Sequence, residues 1–391
     1  MATARIGGKV QSKIQMLLYG EQGTGKSTIS SQFLYMKRPD GKPFRVLYLD
    51  GEAGSIDDML EDIEEDGIDL NNLYIVYTQS LKEVNEYIRK ATEKEPFYEL
   101  DEKGEEMLDD EYMIKDADGE QFIPDAIVVD GTTVLNLAVK QGLVEFSKKR
   151  AGVKAERDKL LGDEKFVKVE GAGLELKDYN TIGFKGQDLV LTLTGSGLHY
   201  IITARETDEK KTIKNSEGKD VTICTGKKVP EGFKGMGYNV KTEMRLFRDE
   251  DDMELVKAHV VKDRTKTYAN GSIVEDPSLF AFQSIIDKTK NHKEVVVQNR
   301  LHNAIKQELE QQEKEVLGEF SKDVNTNKNV NTSENELTID ELKTKIKEKM
   351  VSYSTAKKEE MKEKLRLEGL PIAYKAVKDI EICKRALEVL E

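Results

Sequence analysis

A glycine-rich segment near the start of the chain has the residue types and spacing of a phosphate-binding loop. Residues 20–27 read GEQGTGKS and match the pattern Gly-x-x-x-x-Gly-Lys-Ser/Thr in full. Glycines let backbone N–H groups converge on phosphate oxygens, the lysine reaches the β- and γ-phosphates for catalysis, and the serine hydroxyl ligates Mg²⁺. The segment therefore predicts a nucleoside-triphosphate site. The predicted contacts are Gly20, Glu21, Gln22, Gly23, Thr24, Gly25, Lys26, Ser27 and Thr28.

Two acidic residues elsewhere have positions suited to magnesium binding and to water activation. Asp130 follows the apolar run AIVV, which predicts a buried strand ending in a carboxylate, so Asp130 and Ser27 are the predicted Mg²⁺ ligands. Gly131, and not a glutamate, follows Asp130, so the acid that activates water must lie elsewhere. Glu52 ends the strand after the phosphate-loop helix and would face the γ-phosphate, which makes it the predicted catalytic base.

Strands and helices that would position these residues alternate along the chain. Apolar runs predict buried strands at 14–19, 45–49, 73–77, 126–130 and 198–203. Helical patterns occur at 26–36, 55–66, 80–92, 134–150 and 179–194. This alternation indicates an α/β fold with a mostly parallel central sheet. A hairpin is predicted from the alternation at 243–248 and 254–261.

Changes in composition divide the chain into four predicted parts. Residues 1–288 form the core, interrupted at 93–121 by an acidic, glycine-dotted insertion expected on the surface. A charged helix at 289–320 follows. Residues 321–336 are polar and asparagine-rich and are predicted to be a disordered linker, because they offer too little apolar surface to bury. Residues 337–391 are a predicted all-α module of three helices.

The composition excludes several classes of protein and site. The 391 residues carry a formal net charge of −13, so general affinity for nucleic acid is not expected and DNA contact would need local basic segments. Two separated cysteines and four scattered histidines predict neither disulfides nor a zinc site. The chain lacks an apolar run of 18 residues and an N-terminal signal segment, so we expect a cytoplasmic protein without a membrane partner.

Five segments resemble, in their order along the chain, the RecA-type recombinases over roughly residues 14–285. These segments are LDGEAG at 49–54, GIDLNNLYIV at 67–76, the strand at 127–130, HYIITAR at 199–205 and VVKDR at 260–264. More narrowly, the TAR and KDR tripeptides within the last two resemble RecA-like ATPases of phage recombination modules, which are encoded near single-strand annealing and single-stranded-DNA-binding proteins.

The resemblance implies an ATPase that acts on single-stranded DNA, with ATP as the nucleotide and annealing or single-stranded-DNA-binding proteins as partners. It makes Glu52 the catalytic glutamate and places Arg205 where the family has a γ-phosphate-sensing glutamine. Lys262 and Arg264, which share one face of a predicted strand, would reach the ATP of a neighbouring subunit in a homo-oligomer. The N-terminal oligomerisation helix of RecA is missing, so filament formation and strand exchange do not follow.

Two basic segments, 148–159 and 206–241, fall where the family has its DNA-contacting loops. The second is read as a long loop, with a hairpin within it as an alternative. Phe233 and Tyr238 are the aromatic residues there that are suited to stacking on bases. A nucleotide-dependent scaffold or loader that recruits partners through the C-terminal module is the alternative function. An AAA+ remodeller is less favoured, because that class carries Asp-Glu where this chain has Asp130 and Gly131.

Overall fold

The computed structural model describes residues 4–216, 218–324, 345–346, 349, 355–368, 370–371 and 380–389. It contains two compact units, residues 1–306 and 307–391. The first unit holds every residue of the predicted site. In the second, the described helices after residue 324 include Thr355–Leu367 and Ile380–Val389, so the predicted helical module is confirmed in part.

A nine-stranded sheet forms the centre of the first unit. Its strands are β1 Gln15–Gly20, β2 Val46–Asp50, β3 Leu73–Tyr77, β4 Ala126–Asp130, β5 His199–Lys214, β6 Asp220–Pro230, β7 Thr242–Arg248, β8 Val256–Asp263 and β9 Ile273–Glu275. They lie in the order β3-β2-β4-β5-β1-β7-β8-β9, with β6 paired to β5. In this spatial order the neighbours from β3 through to β7 are parallel, whereas β8, β9 and β6 pair antiparallel. This is the mostly parallel α/β architecture that the sequence predicts.

Helices cover both faces of the sheet, because alternate residues of the buried strands point to opposite sides. Leu17 and Tyr19 of β1 face one apolar cluster, and Met16 and Leu18 face the other. The helices are α1 Lys26–Ser31, α2 Leu60–Glu65, α3 Leu81–Glu93, α4 Thr132–Arg157, α5 Gly162–Glu170, α6 Leu176–Gly195, α7 Met236–Asn239, α8 Gln283–Thr289 and α9 Leu301–Val324. Helices α3, α4 and α6 pack on the first face, and α1, α2 and α8 on the second.

The strand register brings the predicted site residues to one edge of the sheet. Gly20 at the end of β1 pairs with Arg205 of β5, and Asp50 at the end of β2 pairs with Asp130 of β4. Since parallel strands end at the same edge, the phosphate loop, Asp130 and the segment after Asp50 converge there.

The two segments predicted to be DNA-contacting loops are largely regular structure, which corrects the loop prediction for 148–157 and agrees with the hairpin alternative for 206–241. Residues 148–157 continue helix α4, which is held by ion pairs from Lys148 to Glu170 and from Arg150 to Asp178. Within 206–241, β5 and β6 form an antiparallel ribbon that extends beyond the sheet. The lysines that suggested flexible loops in the sequence therefore lie on a helix and on a two-stranded ribbon.

The acidic insertion at 93–121 is only partly a surface feature. Its Phe97 is fully buried and packs against Tyr74 and Phe122. Its Asp116 is also buried and accepts a hydrogen bond from Arg45 Nη1 at 3.1 Å. Most of the insertion is exposed or half-buried, as expected of a surface segment, and its buried residues complete the core beside β3.

The first compact unit extends beyond the predicted boundary at residue 288. Lys293 pairs with Val10, and the Asn299 amide donates to Asp188 Oδ1 at 2.8 Å. The predicted helix at 289–320 begins only at Leu301 and runs to Val324. Of the predicted linker, residues 325–336 lie outside the described part of the chain. Among the residues described, no helix is both long and apolar enough to cross a membrane.

Candidate nucleotide-binding site

The phosphate loop connects the end of β1 to the start of α1. Gly23 and Gly25 have φ angles of 71° and 75°, a left-handed conformation that glycine adopts without steric cost. The Lys26 ammonium folds back over the loop and donates to the carbonyl oxygens of Gly20 at 3.2 Å and Glu21 at 2.6 Å. The loop is therefore curled, and the Lys26 side chain lies across it.

Lys26 lies among carboxylates in a partly buried position. Burial lowers its pKa, while the negative charges of Glu52 and Asp130 oppose that effect. Arg205 contributes a further positive charge nearby. The structure therefore brings the predicted lysine, base, magnesium ligand and sensor together at one point.

Asp130 accepts hydrogen bonds from four hydroxyl groups. Its side chain is 2% exposed, and Oδ2 accepts from Ser27 Oγ at 2.7 Å, Tyr48 OH at 2.6 Å and Ser55 Oγ at 2.7 Å. Oδ1 accepts from Thr203 Oγ1. Burial, followed by the charge of Asp130, raises the pKa of Tyr48 well above its usual range, so its hydroxyl remains a donor.

The donor set at Asp130 fits a magnesium ion. Mg²⁺ prefers oxygen ligands and is usually held by one or two carboxylates, a hydroxyl, water and substrate phosphates. Ser27 and Asp130 supply a hydroxyl and a carboxylate that already lie within hydrogen-bonding distance of each other. Both face the cavity that contains the phosphate loop.

Glu52 is positioned by a short loop that Asp50 organises. The Asp50 carboxylate accepts hydrogen bonds, each 2.8 Å long, from the backbone N–H groups of Glu52, Gly54 and Ser55. The Glu52 side chain then accepts from Arg205 Nε at 3.1 Å. Sequence reasoning assigned no role to Asp50, although an acid before a tight turn is a known signal for side-chain acceptance of backbone N–H groups.

Gly131 leaves the space that the Glu52 side chain occupies. Its φ angle is 88°, and a Cβ atom added there would lie 2.5 Å from Glu52 Cγ. A side chain at position 131 would thus displace Glu52 and would also have to adopt a strained left-handed backbone conformation. This contact gives a physical reason for a glycine after Asp130 in this chain.

We expect Gly131→Ala to reduce kcat for nucleotide hydrolysis roughly 10- to 100-fold, because a displacement of about 1 Å costs that much when it misplaces a reacting group. Nucleotide affinity should change little, since the phosphate loop is untouched. Steady-state kinetics and a nucleotide-binding titration measure the two effects. Gly142→Ala, at an open position within helix α4, which Gly131 precedes, is the control for an added methyl group without a clash. Unchanged kcat in a folded Gly131→Ala protein would contradict this placement of Glu52.

The cavity at this edge has a volume of about 790 Å³. Besides the phosphate loop, it is lined by Glu52, Ser55, Met59, Asp130, Arg205, Glu206, Lys228 and Glu231. Three of these come from the ribbon region and were missed by sequence reasoning, namely Glu206, Lys228 and Glu231. Their position follows from the extension of β5 past Arg205, which local sequence patterns did not reveal.

Two of the missed residues are held by ion pairs. The buried Glu206 accepts from Arg245 at 2.7 and 3.1 Å, which ties the base of the ribbon to strand β7. The Lys228 ammonium lies 3.1 Å from Asp208 across the ribbon. The ribbon is thereby joined to the wall of the cavity.

Lys262 and Arg264 lie away from this cavity in their own chain. Lys262 pairs with Glu243 near the start of β7, whereas Gly20 of the phosphate loop pairs with Leu246 further along the same strand. The Lys262 ammonium donates to the carbonyl of Gly237, and burial, followed by the charge of Arg264, lowers its pKa. The structure therefore places these two cations near each other but does not bring them to the nucleotide site of the same chain.

No protein-family model and no curated protein matches this chain. Among solved structures, it is similar to a KaiC-like protein from the hyperthermophilic archaeon Pyrococcus horikoshii. The two are 13% identical with a TM-score of 0.34, and the match covers 69% of this chain and 99% of the other. A likeness this weak carries no weight for activity, so we assign function from the residues of the chain itself.

Proposed function

We propose that this chain binds ATP with Mg²⁺ and hydrolyses it to ADP and phosphate. The observation that carries the proposal is the convergence of the phosphate loop, the Ser27–Asp130 pair and Glu52 on one cavity. The choice of ATP as the nucleotide depends on the resemblance to RecA-like ATPases.

Each of these residues has a distinct role in the proposed reaction. Lys26 and the backbone N–H groups of the loop bind the β- and γ-phosphates. Ser27 and Asp130 hold Mg²⁺, which neutralises phosphate charge when bound. Glu52 orients a water molecule and accepts its proton as the oxygen attacks the γ-phosphorus, and the bond to the β–γ bridging oxygen breaks to release ADP. Arg205, hydrogen-bonded to Glu52, places a positive charge beside that step.

We further propose that this ATPase acts on single-stranded DNA in phage-type recombination or replication. The β5–β6 ribbon, which begins at the cavity, supports this proposal through its exposed lysines Lys210, Lys211, Lys214, Lys219 and Lys227. The sequence of the ribbon itself contains no aromatic residue. Of the two predicted stacking residues beyond it, Phe233 is buried and Tyr238 is 81% exposed. Contact with DNA through the ribbon would therefore be with phosphates and would weaken with salt.

ATP turnover measured with and without single-stranded DNA at low salt tests both parts of the proposal. We expect magnesium-dependent hydrolysis that single-stranded DNA stimulates, together with DNA binding that falls as salt rises. Hydrolysis without any DNA binding or stimulation would overturn the DNA part alone. Absence of hydrolysis under all these conditions would overturn the ATPase.

We also propose that Lys262 and Arg264 complete the nucleotide site of a neighbouring subunit. Their distance from the site of their own chain, and their mutual proximity, support a role in trans. Such a head-to-tail contact would be heterologous and would generate a ring or a helical polymer.

Mixing two inactive variants tests this shared site. The double variant Lys262→Ala/Arg264→Ala and the single variant Lys26→Ala should each turn over little ATP. An equal mixture should recover about a quarter of wild-type turnover per chain if the subunits assemble at random in a head-to-tail oligomer. Activity returns at interfaces where a subunit of the double variant supplies Lys26 and its Lys26→Ala neighbour supplies Lys262 and Arg264. No recovery after subunit exchange would contradict a site shared between subunits.

A further inference from the structure

The Oδ2 atom of Asp130 has one hydrogen-bond donor more than its lone pairs accommodate. It accepts from Ser27, Tyr48 and Ser55 at 2.6–2.7 Å. A carboxylate oxygen offers two lone-pair positions. One hydroxyl can therefore leave Oδ2 and the oxygen will still be fully hydrogen-bonded. Asp130 would then hold the metal through Oδ1, which within the described residues accepts only from Thr203 Oγ1 and keeps one lone pair.

Ser27 is the hydroxyl best placed to leave. Ser27 lies on the phosphate loop and lines the cavity, where it would ligate Mg²⁺ in the proposed function. Tyr48 is fully buried in β2, whose backbone pairs with β4 directly beside Asp130. Ser55 lies in the loop whose backbone N–H groups are bound to Asp50, with its own N–H at 2.8 Å. The two remaining donors thus belong to segments fixed by other hydrogen bonds.

We propose that Tyr48 and Ser55 are positioning residues for magnesium, which hold Asp130 Oδ2 in place so that the Ser27 hydroxyl is released to the metal. The inference rests on the proposed function, because it concerns the same Mg²⁺ site. Without the Tyr48 hydroxyl, Oδ2 has two donors, Ser27 and Ser55. When the Ser27 hydroxyl then turns to the metal, Oδ2 keeps only the hydrogen bond from Ser55 and is no longer fully hydrogen-bonded. Loss of the Tyr48 hydroxyl consequently raises the Mg²⁺ requirement and leaves metal-free nucleotide contacts intact.

Tyr48→Phe and Ser55→Ala test this role by a binding measurement that needs no turnover. A fluorescent ADP analogue is held constant while MgCl₂ is titrated, and the Mg²⁺ concentration at half-saturation is recorded. We expect that concentration to rise roughly tenfold in Tyr48→Phe, as for other residues that orient metal ligands, and to rise also in Ser55→Ala. Binding of the analogue in EDTA should match wild type in both variants.

Tyr200→Phe is the matched control, because it removes another fully buried tyrosine hydroxyl, one that is 2.9 Å from Thr194 and not bonded to Asp130. Its Mg²⁺ requirement should equal that of wild type. A wild-type Mg²⁺ requirement in folded Tyr48→Phe would overturn the proposal. If Tyr48→Phe does not fold, an unchanged requirement in Ser55→Ala overturns it instead. A wild-type protein that binds no nucleotide at any Mg²⁺ concentration would overturn the proposed function as well.

Discussion

Replacement of Lys26 by alanine is expected to remove most of the affinity for ATP with Mg²⁺. The Lys26 ammonium folds over the phosphate loop and carries a positive charge between Glu52 and Asp130. Without it, two carboxylates face the triphosphate with one compensating charge fewer. Truncation of a partly buried charged partner of this kind costs about 3–4 kcal/mol, which raises Kd roughly 10²- to 10³-fold.

A titration with a fluorescent ATP analogue measures the loss for Lys26→Ala. Lys37→Ala, an exposed lysine just beyond the phosphate-loop helix, is the control and should bind like wild type. Thermal unfolding without ligand should show no destabilisation of Lys26→Ala, because burial of the ammonium already disfavours its charged form. Wild-type affinity in Lys26→Ala would mean that the loop is not the phosphate site.

Replacement of Glu52 by glutamine is expected to stop hydrolysis and to spare binding. Glutamine has nearly the same shape and can still lie beside Arg205, but it cannot accept a proton from water. General-base catalysis contributes roughly 10²- to 10⁴-fold to rate, so kcat should fall by that factor. Phosphate release under saturating ATP measures kcat, and the binding titration measures affinity.

Glu231→Gln is the control for Glu52→Gln, because it makes the same substitution at another glutamate of the cavity. Glu206, which also lines the cavity, is already engaged by Arg245. We expect Glu231→Gln to retain most of its turnover. Normal turnover in Glu52→Gln, or loss of turnover in Glu231→Gln alone, would show that the base is assigned to the wrong residue.

Features set by local sequence were predicted well. Strands β3 and β4 have the predicted bounds, because each is a short apolar run between polar residues. The glycine loop could be read from spacing alone, since its backbone conformation depends on Gly23 and Gly25 themselves. The alternation of strands and helices was then enough to predict a mostly parallel sheet.

Features that depend on distant contacts were not predicted. Charged residues at 148–157 suggested a loop, but ion pairs to α5 and α6 hold them in helix α4. The outer part of β5 carries no apolar alternation strong enough to decide between a loop and a hairpin, and its structure comes from pairing with β6. Tyr48, Ser55 and Thr203 reach Asp130 from three separate segments, so no spacing in the sequence relates them.

The identity of the nucleotide bound to the protein tests the central claim most directly. Wild type, Lys26→Ala and Glu52→Gln are each incubated with ATP and Mg²⁺, separated rapidly from free nucleotide, and the bound nucleotide is analysed. We predict ADP on wild type, almost no nucleotide on Lys26→Ala, and intact ATP on Glu52→Gln. ADP on Glu52→Gln at the wild-type level, or unhydrolysed ATP on wild type after prolonged incubation, would contradict a site in which Lys26 binds the triphosphate and Glu52 activates water.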